Sequence, residues 1–269
     1  METIRAVVAG AGGRMGQRIV AALDGQQGIA LAGACERVGH PSLGCDAGVM
    51  AGVRAADVAI REGLEQILPA GDVLVDFTAP EVSLRHVEIA VRLEKAVVLG
   101  TTGLDAAQQE ALEKAARKIP IVFAPNMSVG VNLLFKVLAD VAAVLGDGYD
   151  VEIVEAHHRF KKDAPSGTAK KMAQVIAETL RRDLDKVVVP GRSGMVGERR
   201  AEEIGIFAVR GGDIVGDHTV TFAGLGERVE ITHRAHSRDT FARGAVRAAK
   251  WVVGRVPGLY DMMDVLGLK

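Results

Sequence analysis

The chain has 269 residues, 48% hydrophobic and 25% charged, the balance of an ordinary soluble globular protein and a length that accommodates two domains. A formal net charge of −1 argues against a general nucleic-acid binder, and an aromatic content of 4% argues against base-stacking platforms, so any anion site must be local. Two cysteines, Cys35 and Cys45, are too few for a disulfide framework and lack metal-ligand spacing. They read as reduced, packing-type residues, with no metal expected. No signal sequence opens the chain and no apolar run approaches a membrane span, so the reading is cytoplasmic, without a membrane partner.

The first element is a buried-strand pattern, TIRAVVAG (residues 3–10), followed by the glycine turn AGGRMG and the helical QRIVAALDG. Strand, glycine turn and helix come in the order a dinucleotide-binding unit requires. The glycines Gly10, Gly12, Gly13 and Gly16 give G-x-G-x-x-x-G, one residue longer than the usual spacing. The loop Gly10, Ala11, Gly12, Gly13, Arg14 and Met15 is the expected phosphate cradle. The second strand, IALAGACE, ends at Glu36, twenty residues after Gly16, where such folds place the acid that bonds the adenosine ribose. Arg37 follows and can meet a 2′-phosphate, so both NADH and NADPH are expected to bind. Residues 38–58 are glycine-rich and weakly patterned, read as a loop with a short strand near Arg54.

The alternation then resumes with strand DVLVDFT, helix PEVSLRHVEIAVRLE with Pro80 in its first turn, strand AVVLGTTG, helix LDAAQQEALEKAARK and strand IPIVFAPN. Repeated strand–helix units imply a parallel sheet covered on both faces, with ligands beyond the carboxyl ends of the strands. Phe77, Thr78, Gly100, Thr101, Thr102, Ala124, Pro125, Asn126 and Met127 lie at those ends.

MSVGVNLLFKVLADVAAVLG (residues 127–146) is a long apolar helix linking the halves. The strand DVEIVEAHH carries a histidine pair out at its end. After a helix over residues 169–182, the charged segment DLDKVVVPGRSGMVGERRAEE reads as a solvated loop, with a mobile lid as the alternative. The runs IGIFAVRGGD, DHTVTFAG and ERVEITHRA, joined by glycine turns, read as hairpins of a mixed or antiparallel sheet. Its open face invites association with another copy. His218, His233 and His236 match no metal motif and read as structural or surface residues. The last helix, RDTFARGAVRAAKWVVG, capped by Asp239 or Thr240, is expected to return to the first domain.

The expected fold class is therefore α/β: a Rossmann-like doubly wound parallel sheet with a second α+β domain built on an open mixed sheet. Residues 1–127 plus 240–269 would form the dinucleotide-binding domain, and 128–239 the substrate-binding and oligomerisation domain.

The densest chemistry lies in EAHHRFKKDAPSGT (residues 155–168), with two histidines, two lysines and an arginine before a Ser-Gly-Thr turn. Ser166 is a good N-cap for the following helix, whose positive N-terminus beside cationic side chains suits a substrate carboxylate. His158, Lys161 and the backbone of Gly167 and Thr168 are the candidate anchors. Histidine also suits proton transfer near neutral pH.

VEIVEAHHRFKKDAPSGTA resembles the signature of the dihydrodipicolinate reductase family, through the His-His pair, the lysine four residues after the first histidine, and DAPSGTA unbroken. The similarity runs from VAGAGGRMG to ITHRAHSRDTFARGAVRAA, and the longer glycine spacing matches the family's GAxGRMG. The resemblance implies reduction of 4-hydroxy-tetrahydrodipicolinate to tetrahydrodipicolinate, with loss of water, in lysine and diaminopimelate biosynthesis. It implies His157 as proton donor and acceptor, Lys161 as second proton donor, NADH or NADPH as cofactor, the GTT and APNM segments lining the nicotinamide, and a homotetramer. Two readings compete. One is another NAD(P)-dependent dehydrogenase of a small amino or imino acid; a semialdehyde dehydrogenase would need a mid-chain cysteine, and none follows Cys45. The other is a non-catalytic NADP sensor, which would not need the basic cluster.

Overall fold

The computed structural model describes residues 2–269; Met1 lies outside them. In chain order the elements are β1 (Ile4–Ala9), α1 (Arg14–Leu23), β2 (Ile29–Glu36), α2 (Ala47–Met50), β3 (Ile60–Glu62), β4 (Val73–Asp76), α3 (Pro80–Arg92), β5 (Ala96–Leu99), α4 (Ala106–Ala116) and β6 (Pro120–Phe123). The chain continues with α5 (Val129–Leu145), β7 (Asp150–His157), α6 (Gly167–Thr179), α7 (Leu184–Val187), β8 (Val188–Val189), β9 (Ile204–Arg210), β10 (Gly216–Ala223) and β11 (Arg228–Ala235). It closes with α8 (Asp239–Val252), β12 (Gly258–Tyr260) and α9 (Met262–Leu266).

These elements fall into two compact units, one running to Val129 and resuming over Arg238–Lys269, the other Gly130–Ser237. The expected boundaries after 127 and before 240 thus move by two residues each. In the first unit seven strands pair in the order β12-β6-β5-β4-β1-β2-β3, all parallel. Strands such as VLVD and AVVL are buried on both faces, which is why they read as continuous apolar runs. One face packs against α1 and α8 through Ile19, Val20, Ala245 and Ala249; the other carries Val87, Ala90 and Leu112 of α3 and α4. The sheet is doubly wound, and the chain direction switches between β1 and β4, where such sheets bind ligands.

In the second unit the order is β11-β10-β7-β9-β8, with β7 parallel to β9 and antiparallel to β10. Only β10 and β11 form a hairpin. The expected β9–β10 hairpin is absent because β7, whose Val151 and Ile153 are fully buried, occupies the position between them. Helix α6 makes the crossover that a parallel β7–β9 pair requires.

Four further expectations are corrected. The short strand near Arg54 is instead β3 at Ile60–Glu62, preceded by α2, whose cap Asp46 accepts from Val49 N–H. Helix α8 starts at Asp239 with Arg238 at its N-cap, so neither Asp239 nor Thr240 takes that position. Residues 129–148 are long and apolar enough, at mean hydropathy 1.8, to meet the length and composition of a membrane span. In the fold, Leu134, Leu138 and Ala142 of α5 join the core of the second unit, while Lys136 and Asp140 pair on its outer surface. Finally, Cys45 is exposed rather than packed; Cys35 alone is buried, and burial pushes its thiol up to about 12, keeping it protonated and unreactive.

Candidate active site

At the switch point of the first unit a cleft of about 760 Å³ opens, lined by Gly10, Gly13, Arg14, Met15, Glu36 and Arg37. Gly10 has φ +67°, a left-handed backbone that only glycine adopts without strain. Gly16 lies so close to this turn that a Cβ there would stand 2.0 Å from Gly10 O. The glycines thus bring the start of α1 against the end of β1, leaving its N-terminus, uncapped by any side chain at Gly13, open to an anion. Glu36 holds the loop from the far side, accepting from Gly12 N–H at 3.1 Å and Arg37 N–H at 3.1 Å. Ala11 is buried beneath it.

The other predicted cofactor residues are distributed differently. Gly100, Thr101, Ala124 and Met127 are buried, Thr102 and Pro125 are exposed, and Asn126 is half-buried with its side chain accepting from Ser128 N–H. None of the seven lines the cleft, and Thr101 Oγ1 bonds Ser83 Oγ at 2.7 Å. That bond belongs to a network that sequence reasoning missed. Asp76, fully buried at the end of β4, accepts from Thr78 N–H and Oγ1, from Ser83 Oγ and, at 2.7 Å, pairs with His86 Nδ1. His86, Arg85 and Val82 of α3 and Glu62 of β3 complete the cleft wall. For the three α3 residues the only sequence signal was position, the first turns of a helix that follows a strand end; Glu62 had none.

The basic cluster lies wholly in the second unit. β7 carries Glu155 and His157 on one face, because alternate strand residues share a side. Glu155 is fully buried and His157 Nδ1 lies 2.7 Å from its Oε2. Ser166 caps α6, its Oγ accepting from Ala169 N–H at 3.2 Å, as expected. Ser166 N–H donates to Glu155 Oε1 at 2.9 Å, so the strand end and the helix start are joined directly. Lys161, 20% exposed, pairs with Asp163 at 2.9 Å. His158 is half-buried, its Nδ1 without a hydrogen-bond partner, beside the exposed Phe160. Gly167 is exposed and Thr168 half-buried at the first turn of α6.

Two members of this cluster had been read as bland. Arg210, which the run IGIFAVRGGD places beside a glycine turn, forks onto Glu155 through Nη1 and Nη2 at 2.7 and 2.8 Å, and donates to Asp163 O. His218, taken as structural or surface, is buried, stacks edge-on to His157 with ring centroids 5.1 Å apart, and bonds Ser166 Oγ at 3.0 Å. Neither had a sequence signal, since register alone brings them beside β7. The 183–203 segment is a solvated loop only in its middle, where residues 193–198 are exposed; it opens with α7, and Arg192 forks onto Glu152 and reaches Glu203 while Arg199 reaches Glu152 and Asp150.

The electrostatics follow from this geometry. Burial pushes the Glu155 carboxyl up, but Arg210, His157 and Ser166 N–H together outweigh it and hold it below its ordinary value. Burial pushes the His157 imidazole down; the adjacent Glu155 opposes this, while Lys161 and Arg210 add to it. His218 is pushed down to about 4, chiefly by burial and then by His157. The cluster therefore holds a neutral imidazole beside an ionised, neutralised carboxylate, with a lysine and a helix N-terminus close by in the chain.

A nucleotide cleft at a doubly wound switch point and an acid–base cluster beside a helix N-terminus define an oxidoreductase of the pyridine-nucleotide class. The family model described as "Dihydrodipicolinate reductase, N-terminus" matches residues 4–127, and that described as "Dihydrodipicolinate reductase, C-terminus" matches residues 130–266. The 4-hydroxy-tetrahydrodipicolinate reductase of Citrifermentans bemidjiense is 56% identical over 266 residues, covering 99% of this chain and 100% of that protein. That of Geobacter sulfurreducens is 57% identical over 262 residues, covering 97% and 98%. Among solved structures, the dipicolinate-bound dihydrodipicolinate reductase of Paenisporosarcina sp. TG-14 superposes with a TM-score of 0.77 at 26% identity, covering 97% of this chain and 98% of that one. Aspartate semialdehyde dehydrogenase II of Vibrio cholerae shares the fold alone, with a TM-score of 0.55 at 12% identity over 94% and 99% of the two chains.

The chain belongs to the dihydrodipicolinate reductase family. It is a pyridine-nucleotide-dependent oxidoreductase that reduces 4-hydroxy-tetrahydrodipicolinate to tetrahydrodipicolinate in lysine and diaminopimelate biosynthesis. The amino-acid dehydrogenase and sensor readings are set aside by that membership.

Proposed function

We propose that the second unit binds the substrate's carboxylates and supplies its protons, and that the first unit binds either NADH or NADPH. The observation that carries this reading is the Glu155–Ser166 hydrogen bond, which joins the end of β7, with its histidines, to the N-terminus of α6. A dicarboxylate needs two electropositive anchors. The start of α6 at Gly167 and Thr168 is one, through its backbone dipoles; His158 with Lys161 is the other. Lys161 would exchange its exposed partner Asp163 for the substrate. The carboxylates' negative charge would draw His157 toward its protonated form, against the burial that lowers it in the free protein. As water leaves, Lys161 protonates the departing hydroxyl while the adjacent ring carbon gives up a proton. Hydride adds to the conjugated imine so formed, and His157 returns a proton to quench the charge left on it.

The cleft fits a dinucleotide: the positive φ of Gly10 and the close approach of Gly16 leave room for phosphates that no Cβ would allow. When bound, the reduced nicotinamide supplies the hydride. Gly10 to Met15 hold the pyrophosphate, Glu36 the ribose, and Arg37 the 2′-phosphate where one is present. The strand-end residues Gly100, Thr101, Thr102, Ala124, Pro125, Asn126 and Met127 are assigned to the nicotinamide end, acting chiefly through backbone groups since several are buried. Val154 and Val209, large apolar residues exposed on the uncovered face of the second sheet, support association into a homo-oligomer, a tetramer by family resemblance, and the enzyme is read as cytoplasmic. Light scattering that gives a monomer at micromolar concentration defeats the assembly.

The test of the site is NADPH oxidation on addition of the condensation product of pyruvate and aspartate semialdehyde. His157→Ala and Lys161→Ala are each expected to lower turnover on the order of 10²–10⁴-fold, with nucleotide affinity retained. Normal turnover in both variants removes the assignment.

A further inference from the structure

We propose that Glu155 is a positioning residue of the reaction: a single buried carboxylate that fixes the tautomer of His157 and locks it to the carboxylate-binding turn of α6. The proposal rests on the reading of His157 as the proton-transferring group. Four donors converge on the two Glu155 oxygens. Oε2 takes His157 Nδ1 and Arg210 Nη1, and Oε1 takes Ser166 N–H and Arg210 Nη2.

With its carboxylate ionised, Glu155 can only accept, so His157 Nδ1 must carry its proton toward it. The lone pair is then on Nε2. That edge faces Gly216 of β10, where a Cβ would stand 3.1 Å from Nε2 and crowd it. Glycine at this position keeps the reactive nitrogen accessible. The charged and titratable groups around His157 are Glu155 on β7, Arg210 on β9, His218 on β10 and Lys161 in the loop after β7. Glu155 is the negative one among them, so it alone both orients the ring and stabilises its protonated form. The bond to Ser166 makes a shift of the imidazole a shift of the α6 N-terminus as well.

The decisive variant is Glu155→Gln. Its amide must turn an NH₂ toward Arg210 together with either His157 Nδ1 or Ser166 N–H, and it removes the negative charge facing His157. Turnover is expected to fall at least about tenfold, the lower bound for losing a carboxylate that orients a metal-bound histidine, and up to about 10⁴-fold, the loss when the carboxylate behind an acid–base histidine becomes an amide. The limb of the pH–rate profile set by His157 should also move to lower pH, and the KM for NADPH should hold. A merely structural loss would not move that limb. Unchanged kcat with an unshifted limb overturns the proposal. Should Glu155→Gln fail to fold, ¹⁵N-histidine NMR of the wild-type enzyme decides: a neutral His157 protonated at Nδ1 supports the role, and one protonated at Nε2 overturns it. His157→Gln run in parallel separates the two levels. Normal turnover there defeats the assignment of His157 itself; slow turnover there with normal turnover in Glu155→Gln defeats only the positioning role.

Discussion

Each unit of this protein holds a fully buried carboxylate at the end of a strand, paired at 2.7 Å with a histidine Nδ1: Asp76 with His86, and Glu155 with His157. The pairs differ in what else touches the carboxylate. Around Asp76 the remaining donors are neutral, the N–H and hydroxyl of Thr78 and the hydroxyl of Ser83, and the network passes on to Thr101 after β5. Around Glu155 a guanidinium forks onto both oxygens. A buried carboxylate ringed by hydroxyls braces two strand ends against each other. One neutralised by arginine remains ionised, and can orient a neighbouring imidazole while that imidazole changes charge. A carboxylate–histidine pair thus braces strand ends in one unit, and in the other it holds the imidazole to which we assign the proton transfer.

Exchanging the two histidines for alanine is the harshest way to break this comparison. His157→Ala carries the large turnover loss described above; His86→Ala, whose ring lines the nucleotide cleft, is expected to raise the KM for the nucleotide with little change in kcat. Equal loss of kcat in both, measured under saturating substrate, erases the distinction.

Acid sharpens it next. His218 is held neutral with its folded-state value near 4, below the ordinary 6.5, so the unfolded chain binds the proton first as pH falls. The stability from its burial is fully present above about pH 6.5 and is lost progressively as pH drops toward 4. The loss is on the order of 3 kcal/mol if the group responds alone. His157 and His233 are lowered in the same direction and add to it. Amide protection factors in β10 and β11, corrected for the intrinsic exchange rate, should therefore fall between pH 6.5 and 4, and replacing His218 with leucine should flatten that dependence.

Asp76→Ala tests the scaffold. It removes the acceptor of the half-buried Thr78 N–H, of the hydroxyls of Thr78 and Ser83 and of His86 Nδ1, and should cost about 1–3 kcal/mol. Urea unfolding followed by the fluorescence of Trp251, the chain's single tryptophan and a residue of the first unit, reads it directly. The smallest effect is expected from Arg37→Ala, which removes one exposed charge-assisted contact. It should raise the KM for NADPH about tenfold and leave that for NADH unchanged. A parallel change for both cofactors removes Arg37 from the 2′-phosphate.

What the sequence determined by itself was whatever neighbours along the chain decide. The strand–glycine–helix order, the parallel sheet, the Ser166 cap and the cluster from His157 to Thr168 are all local: periodicity, turn chemistry and adjacency specify them within a dozen or so residues. The capping box of Asp105 and Gln108 at α4 is of the same kind. Tertiary structure decided what depends on register. β7 takes the central place in its sheet because Val151 and Ile153 need cover and both its edges need partners. That insertion splits the β9–β10 hairpin, lays Arg210 and His218 on either side of β7, and turns a presumed turn residue and a presumed structural histidine into partners of Glu155 and His157. Pairs 55 and 52 residues apart in the chain, Arg210 with Glu155 and Ser166 with His218, meet only through that pairing. A one-residue slip would send each to the opposite face of the sheet, so their meeting is a property of the register and of no local pattern.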